Sequence, residues 1–493
     1  MINSTPDNPV RKERRDNRAQ RRSAVGGWAS PEPGGYLEVL KIATPLVLST
    51  ASLTLTLFVD RMFLSWHGQT SVAAATPGGI TYFTVCSLFL GTAQFVNSMV
   101  AQHHGRGDKQ ACARAVWQGV FFSIAALPVI FACIPLGRMV LSWGGHPPAV
   151  LLREKEYFSI LMLGGVMLPL GAALSSFFSG RGKTAVVMWG NVAGNAANIL
   201  LDYILIFGKL GFPAMGIRGA AISTALTGVI PVLFWGSLFL SRPYQAEYRT
   251  RQGFRWDKRL FVMLLRYGLP SGVQFFLDVG AFAAFVLLIG RLGEANLAAT
   301  NIVMSIEMLS FLPMVGVSIA TATLVGEYIG RDQTALAEKS VRSALRMALG
   351  YMILMASLYV LVPEPFLELF REQGRSGAGF DQIVETGRII LRLVAIFTIF
   401  DTMFIVYSGA LKGAGDTRFA MWAQVLIAWI VFVPPTYFIV EYLNLGLMAV
   451  WTWGVVYVIC LGTAFWLRFR SGRWKTIRMT GGKRGLEGLP EAL

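Results

Sequence analysis

The stretch IATPLVLSTASLTLTLFVDRMFLS, residues 42–65, holds 24 residues and only two charged side chains, Asp60 and Arg61. A helix of about 20 predominantly apolar residues crosses the hydrocarbon core of a bilayer. The stretch therefore predicts a membrane-spanning helix that carries a carboxylate near one end. Similar apolar runs, separated by polar breaks, recur along the rest of the chain.

Composition agrees with a membrane protein. The 493 residues are 54% hydrophobic and 15% charged, with a mean hydropathy of +0.53, whereas soluble domains carry about 25% charged residues. This excludes a soluble enzyme, a disulfide scaffold and a disordered chain, and the continuous apolar runs disfavour an outer-membrane barrel. The twelve predicted spans are residues 42–65, 74–99, 116–141, 157–179, 185–207, 217–240, 261–289, 299–325, 343–362, 389–410, 419–440 and 446–467.

The chain also repeats itself at an offset of 225 residues. The matched pairs are Pro45 and Pro270, Gly68 and Gly293, Ala73 and Ala298, Ala74 and Ala299, Gly91 and Gly316, Val100 and Val325, Gly105 and Gly330, and Arg106 and Arg331. Six helices followed by six in the same orientation form a parallel repeat, which transporters use to place a site between two bundles. We predict an all-α, polytopic fold of twelve transmembrane helices in two pseudo-symmetric six-helix bundles.

The distribution of positive charge predicts the topology. Most of the 44 Lys and Arg residues lie in the two tails and the even-numbered loops, which places both termini in the cytoplasm. The net charge of +16 is therefore a topology signal, and no nucleic-acid partner is expected. The predicted segments are a disordered basic cytoplasmic tail (1–35), an N-lobe (36–240), a cytoplasmic inter-lobe linker (241–259), a C-lobe (260–470) and a second basic cytoplasmic tail (471–493).

Five acidic residues lie at membrane depth, where each ionised group costs at least about 2.5–3.5 kcal/mol. They are Asp60, Asp202, Asp278, Glu307 and Asp401. In the fifth span, the amides of Asn191, Asn195 and Asn198 precede Asp202 at helical spacing and share one face with it. Such a stripe either faces a polar cavity or makes hydrogen bonds between helices.

A negatively charged cluster of oxygen ligands could form from the side chains of Asn198 and Asp202 together with Asp60 and Thr224. That chemistry suits sodium or a proton and offers no soft ligand for a transition metal. In the second half, no Lys or Arg lies within one helical turn of Asp278 or Asp401 in the sequence. Because they lack a neighbouring positive charge, these carboxylates are candidates to bind a proton, a metal ion or an organic cation.

Glu307 either faces a cavity or caps a kink near Pro313, and the sequence leaves both possibilities open.

Sequence motifs for catalysis are missing. The chain contains no GxxxxGK[ST], HExxH or GxSxG, so neither a nucleotide-driven pump nor a hydrolase is encoded, and no cofactor is expected. His103 and His104 are interpreted as solvent-exposed residues of a cytoplasmic loop. Energy for transport would then come from an ion gradient.

Several segments together resemble a known family. They are Phe58-Val59-Asp60, residues 101–108 (AQHHGRGD), residues 198–207 (NILLDYILIF), residues 219–224 (GAAIST), Leu269-Pro270 through Asp278, and residues 411–417 (LKGAGDT). In order and spacing the chain resembles the multidrug and toxic compound extrusion (MATE) transporters, and among them the NorM-like branch. The resemblance extends from about Tyr36 to Arg470.

The resemblance implies a V-shaped pair of bundles that exports lipophilic organic cations in exchange for sodium ions or protons. By motif position, Asp60, Asn198, Asp202 and Thr224 match the N-lobe cation site, and Asp278 and Asp401 match the C-lobe acids. Asn191, Asn195 and Phe397 are supporting residues. Phe397 replaces a tyrosine often found there, the seventh-span acid is usually Glu, and Arg61 and Glu307 are also atypical. The coupling ion and its lobe stay open.

The alternative function is a flippase or exporter of a lipid-linked or specific metabolite with a related fold. Those flippases usually have two more spans and a cationic cavity, whereas the embedded residues here are acidic. An enzyme or receptor is disfavoured by the long repeat. We expect a monomer in a bacterial inner membrane, with the lipid bilayer as its surroundings and no obligate protein partner.

Overall fold

The structure is a computed structural model that describes residues 32–144, 147–370, 378–477 and 479. Within these residues it consists of helices joined by short loops and contains no β-strand. Residues 1–31 of the predicted N-terminal tail lie outside the described residues, as do 480–493 of the C-terminal one.

Twelve long helices make up the two halves. The first half contains α1 (Tyr36–His67), α2 (Gln69–Gln94, continued by Val96–Gly105), α3 (Lys109–Ser142), α4 (Pro148–Gly164, continued by Met167–Ser179), α5 (Thr184–Phe207) and α6 (Ile217–Thr227, continued by Val229–Phe239). The second half contains α7 (Lys258–Met263, a π-helical turn at Leu264–Gly268, and Leu269–Gly290), α8 (Glu294–Gly330), α9 (Thr334–Leu361), α10 (Ala378–Ala414), α11 (Thr417–Leu426, a π-helical turn at Ile427–Phe432, and Val433–Glu441) and α12 (Gly446–Arg470).

Among the described residues, 11 of these helices are long and apolar enough to cross a membrane. The remaining one is α5, a helix of 24 residues. Its three Asn and one Asp lower its hydropathy, although its length suffices for a span. The predicted fold class of two repeated helical bundles is confirmed.

The two halves pack together by pairing non-equivalent helices. Helix α1 packs against α8, and α2 packs against α7. Since α1 corresponds to α7 and α2 to α8 in the sequence repeat, the two contacts are related by an approximate twofold axis. One continuous hydrophobic core cluster draws residues from both halves, including Val39, Val100, Leu324 and Tyr328.

Glycines from the repeat bring the halves into close contact. A Cβ at Gly105 would lie 2.1 Å from the Glu327 carbonyl oxygen, and one at Gly330 would lie 2.2 Å from the Gln102 carbonyl oxygen. The two contacts are equivalent under the offset of 225. Small residues allow helix backbones to approach this closely. We call this end of the bundle, defined by Gln102, Gly105, Glu327 and Gly330, the sealed end.

Two further interactions join the halves near the sealed end. Asn97 donates to the Thr323 hydroxyl (3.0 Å), and Gln102 Nε2 donates to the Gly413 carbonyl oxygen (3.0 Å). Both lie among buried residues, where an unmade hydrogen bond is costly. Polar pairing and glycine contacts therefore fix the register of the two halves.

Prolines follow the π-helical turns of α7, which carries Asp278, and of α11, which carries Gln424. Pro270 lacks an N–H group and follows directly on the π-helical turn of α7, eight residues before Asp278. In α11, Pro434 follows the second π-helical turn. Proline removes one helical hydrogen bond, and single π-helical turns are frequent at functional sites.

The linker between the halves is attached to the first half. Trp117 Nε1 donates to the Thr250 carbonyl oxygen (2.8 Å), and Gln118 Nε2 donates to the Arg255 carbonyl oxygen (2.9 Å). A short helix, Arg242–Tyr248, precedes these contacts. At the other end of the second half, the 3₁₀ turn Arg473–Thr476 buries Trp474, so the predicted C-terminal tail begins with an ordered segment.

Candidate functional site

Helices α1 and α5 bring two acidic residues together in the first half. Asp202 is fully buried, and neither of its carboxylate oxygens makes a hydrogen bond of good geometry among the described residues, although the Ser223 hydroxyl lies close enough to interact with them. Asp60 lies close enough to interact with it electrostatically, and its Oδ1 is also buried and without a partner there. Neighbouring buried carboxylates repel each other, so the arrangement favours occupancy by a proton or a small cation.

Arg61 follows Asp60 directly in α1. Arg61 is exposed, whereas Asp60 is half-buried. Arg61 nevertheless lies within electrostatic range of the Asp60 carboxylate.

Tyr157 of α4 is a residue that the sequence did not single out. Its side chain is 6% exposed and lies within electrostatic range of both Asp60 and Asp202. A phenol can donate to a carboxylate or contribute an oxygen ligand. The only available signal was its place at the start of a predicted span, which many core tyrosines share.

Asn198 connects the acid pair to α6. Its Nδ2 donates to the Ser223 hydroxyl (3.1 Å) and to the Thr227 hydroxyl (3.3 Å), while Ser223 Oγ donates to the Asn198 carbonyl oxygen (3.2 Å). Thr224 is adjacent to Ser223 and half-buried. The hydroxyls that accept from Asn198 therefore belong to Ser223 and Thr227, and the predicted residue Thr224 lies between them. Spacing along α5 could not have indicated which hydroxyl of α6 Asn198 would bind.

The other two amides of the stripe bind α1. Asn191 Nδ2 donates to Ser49 Oγ (2.7 Å), and Asn195 Nδ2 donates to Ser52 Oγ (3.0 Å). These are the interhelical hydrogen bonds that Asn commonly makes in membranes. The stripe therefore divides: Asn191 and Asn195 hold α5 to α1, and Asn198 and Asp202 lie at the acid pair.

In the second half, Asp278 is held by a hydrogen-bonded chain. Gln424 Nε2 of α11 donates to Asp278 Oδ1 (2.9 Å) and to the Tyr457 hydroxyl (3.2 Å). The Tyr457 ring stacks on Phe432, with ring centroids 4.2 Å apart. Phe432 ends the π-helical turn of α11, so that turn helps to position the Asp278 network.

Asp401 and Glu307 complete an acidic group with Asp278. Asp401 lies within electrostatic range of both of the other carboxylates. Glu307 lies within electrostatic range of Asp401, and Pro313 lies inside α8 without breaking the helix. Phe397, one turn before Asp401, is half-buried and packs against the hydrophobic cluster of this half.

Lys412 of α10 faces Asp278 electrostatically. One turn before Lys412, Ser408 accepts a hydrogen bond from Gln274 of α7 (3.5 Å), which places this face of α10 beside α7. The sequence placed no cation within a turn of Asp278. The fold supplies one from another helix, 134 residues further along the chain.

The two acidic groups share one chemistry. Both consist of carboxylate, amide and hydroxyl oxygens, which suit a hard monovalent cation, a proton or an organic cation. In the described part of the chain, no group of three or more His, Cys, Asp or Glu residues could hold a metal ion. The arrangement fits reversible neutralisation of the carboxylates.

Known proteins with similar sequences are named multidrug resistance proteins. "Probable multidrug resistance protein NorM" of Thermotoga maritima is 26% identical over 442 residues, covering 89% of this chain and 93% of the relative. A protein of the same name from Pseudomonas aeruginosa is 28% identical over 460 residues, covering 92% of each.

The fold has solved counterparts. One is described as the "outward-facing conformation of a multidrug resistance MATE family transporter of the MOP superfamily". It shares 21% identity and a TM-score of 0.80, covering 90% of this chain and 97% of that one. The sequence pattern of the MatE family matches residues 45–204 and 270–438, one segment in each half. The chain therefore belongs to the MatE family of membrane transporters.

Proposed function

We propose that the protein is a secondary multidrug efflux antiporter that exports lipophilic organic cations in exchange for sodium ions or protons. The observation that carries this proposal is the pair of acidic groups within the helices, the half-buried Asp60 with the fully buried Asp202, and the half-buried Asp278 with the half-buried Asp401. Membership of the MatE family and the names of the relatives support export of small molecules.

The mechanism follows from the cost of buried charge. Entry of a proton or sodium ion neutralises the carboxylates and reduces their desolvation cost. Because the ion binds one arrangement of helices better than another, it biases the equilibrium between them and releases the organic cation. The halves must then separate at the sealed end to load the next substrate.

The membrane location, topology and oligomeric state of the protein are part of the same proposal. The charge distribution supports a bacterial inner membrane with both termini in the cytoplasm. A monomer suffices, since each chain carries both acidic groups, and an ion gradient supplies the energy without a bound cofactor. The acidic side chains disfavour the alternative of a lipid-linked, anionic cargo.

The test is transport in liposomes preloaded with ethidium. Purified protein receives an inward sodium gradient or an inward proton gradient, and ethidium release is followed by fluorescence, with protein-free liposomes as the control. Release under sodium alone supports an oxygen cage at the acids, and release under protons alone makes the acids proton carriers. Release under neither gradient contradicts the proposal.

A further inference from the structure

A short segment at the start of the first half crosses to the second half beside the sealed end. It comprises residues 32–38, and its polar groups bond to α8 and α9. The structure differs from two sequence-based expectations here: residues 32–35, expected in a disordered tail, lie against the second half, and His103, expected to be exposed, is 8% exposed in the last turn of α2. We call residues 32–38 the N-terminal strap.

Tyr328 of α8 is the centre of the hydrogen bonds of the N-terminal strap. Its hydroxyl donates to Glu38 Oε2 (2.7 Å) and accepts from the Gly34 amide (3.0 Å), and that amide also donates to Glu38 Oε2 (2.7 Å). The Tyr328 side chain is 1% exposed. Hydrogen bonds to a carboxylate are roughly twice as strong as those between neutral groups. One residue of the second half therefore closes a hydrogen-bonded ring with two residues of the first.

Helix α9 contacts the N-terminal strap from one face. Lys339, Ser343 and Arg346 are spaced by four and three residues, so they share that face. Their partners are, in the same order, Glu32 in an ion pair, the Gly34 carbonyl oxygen (2.8 Å from Ser343 Oγ) and the Tyr36 hydroxyl (3.3 Å from Arg346 Nη1). Ser343 is 6% exposed, whereas the ion pair is exposed. Exposed ion pairs contribute little to stability, so the buried bonds at Gly34 hold the strap.

Gly34 allows the close contact between the strap and the second half. Its φ of +70° lies in the left-handed region, and a Cβ there would lie 3.0 Å from the Leu336 carbonyl oxygen and 3.2 Å from Lys339 Cβ. Glycine adopts that conformation without a steric penalty. Both backbone polar groups of Gly34 bond to the second half, through Tyr328 and Ser343. The strap is therefore fitted to the sealed arrangement of the two halves.

We propose that the N-terminal strap is a latch that keeps the sealed end closed, with Tyr328 and Ser343 as its positioning residues. The strap continues directly into α1 of the first half, whereas its partners belong to α8 and α9 of the second. Separation of the halves at this end must therefore break the bonds at Gly34 and Glu38. Their strength sets the fraction of protein whose sealed end is open. The effect of the latch on export, unlike its effect on opening, rests on the proposed function.

The first experiment measures opening of the sealed end without transport. A reporter cysteine replaces Ser98, which is 3% exposed and lies beside Gly326 of α8. The background lacks the four native cysteines, Cys86, Cys112, Cys133 and Cys460. Maleimide should label the reporter about fivefold faster in Y328F and in S343A, because each variant loses buried hydrogen bonds of the latch.

Two matched variants control for the loss of a hydroxyl group. Y359F removes a buried phenol hydroxyl whose partners, Ser310 and the Ile306 carbonyl oxygen, belong to the same half. S340A removes a hydroxyl of α9 that bonds to the Ala337 carbonyl oxygen of its own helix. Both should label at the rate of the unaltered reporter protein. Equal rates in the latch variants and the control variants, whether slow or fast, would overturn the latch.

A second experiment closes the latch covalently. In the same cysteine-free background, E32C/K339C replaces the exposed ion pair by two thiols, which a bis-methanethiosulfonate reagent can bridge. The bridge should lower ethidium export from liposomes about tenfold or more, because it restrains the opening step, and dithiothreitol should restore export. The single variant E32C, treated in the same way, should export normally.

Full export by the bridged protein would show that the strap does not need to release, and would overturn the latch. If the protein exports nothing even before bridging, the proposed function fails. The labelling rates then still decide on the latch, because they require no transport.

Discussion

At the scale of single residues, the decisive property of a polar group in the membrane is whether the fold gives it a partner. Asn191 and Asn195 find serine hydroxyls on α1, whereas Asp202 makes no hydrogen bond of good geometry among the described residues. A satisfied amide holds helices together, and an unsatisfied carboxylate retains the capacity to bind an ion. One end of α5 therefore holds two helices together, and the other end supplies a carboxylate that can bind an ion.

The substitutions D202N and D401N should each lower ethidium export by about tenfold or more, because each removes a charge that a cation would contact. Both variants should still insert into the membrane, since an amide costs less there than a carboxylate. Export from liposomes and the monodisperse yield after purification measure the two effects. E385Q on the exposed face of α10 is the control, and normal export by D202N and D401N would sink the site assignment.

The Lys412 ammonium group should compete with a bound organic cation for the Asp278 carboxylate. Substitution K412Q removes the ammonium group that faces this carboxylate, so tetraphenylphosphonium should bind several-fold more tightly, at roughly 1.4 kcal/mol for each tenfold change. K412R keeps the charge and should bind as wild type does. Equilibrium binding of the cation to purified protein measures the change, and weaker binding to K412Q would show that Lys412 supports the site instead.

At the scale of elements, the polar face of α5 divides between two neighbours. Its first half binds α1 through Asn191 and Asn195, and its second half binds α6 through Asn198. The helix is the one long helix that falls short of the hydropathy of a span among the described residues. Its neighbours α1 and α6 compensate for that polarity with hydroxyl groups.

The double variant N191A/N195A should lower the free energy of unfolding by about 1 kcal/mol, because interhelical hydrogen bonds in membranes average about 0.6 kcal/mol each. Export should persist, since neither amide lies at the acid pair. Unfolding by detergent titration measures the stability. A matched variant, S49A/S52A, should show a similar loss, and an export defect as large as that of D202N would place these amides in the transport site.

At the scale of the whole molecule, the approximate twofold axis gives the sealed end its geometry. Gly91 approaches Gly272 and Gly316 approaches Val47, again as equivalents under the offset of 225. With Gly105 and Gly330, these contacts form a paired series between the halves. The proposed transport cycle, in which substrate loads from this end, requires the whole series to separate.

Substitution G105A should shift the protein away from the sealed conformation, since its Cβ would lie 2.1 Å from the Glu327 carbonyl oxygen. The reporter is a cysteine at Ser98, which is 3% exposed, in a background without Cys86, Cys112, Cys133 and Cys460. Maleimide should label it several-fold faster in G105A.

G350A is the control for that labelling experiment, because a Cβ at Gly350 meets nothing within 4 Å. Both substitutions replace a helical glycine by alanine, so they share the gain in helix propensity. A labelling rate that is unchanged in G105A would mean that the backbone absorbs the clash without separating the halves.

The sequence by itself determined the number of long helices and their repeat. These depend on local hydrophobicity and spacing, because a segment of about 20 apolar residues must span the bilayer whatever its neighbours. It also identified the matched glycines, although their place at the contact between the halves became visible only in the structure.

Only the tertiary structure decided which polar groups meet. Tyr157 reaches the acid pair from α4, Lys412 and Gln424 reach Asp278 from α10 and α11, and His103 turns inward beside Arg259. Each contact joins residues far apart in the chain, and its formation depends on the rotation of one helix against another. Hydropathy and spacing along a single helix carry no information about that rotation, so the partners follow from packing between helices.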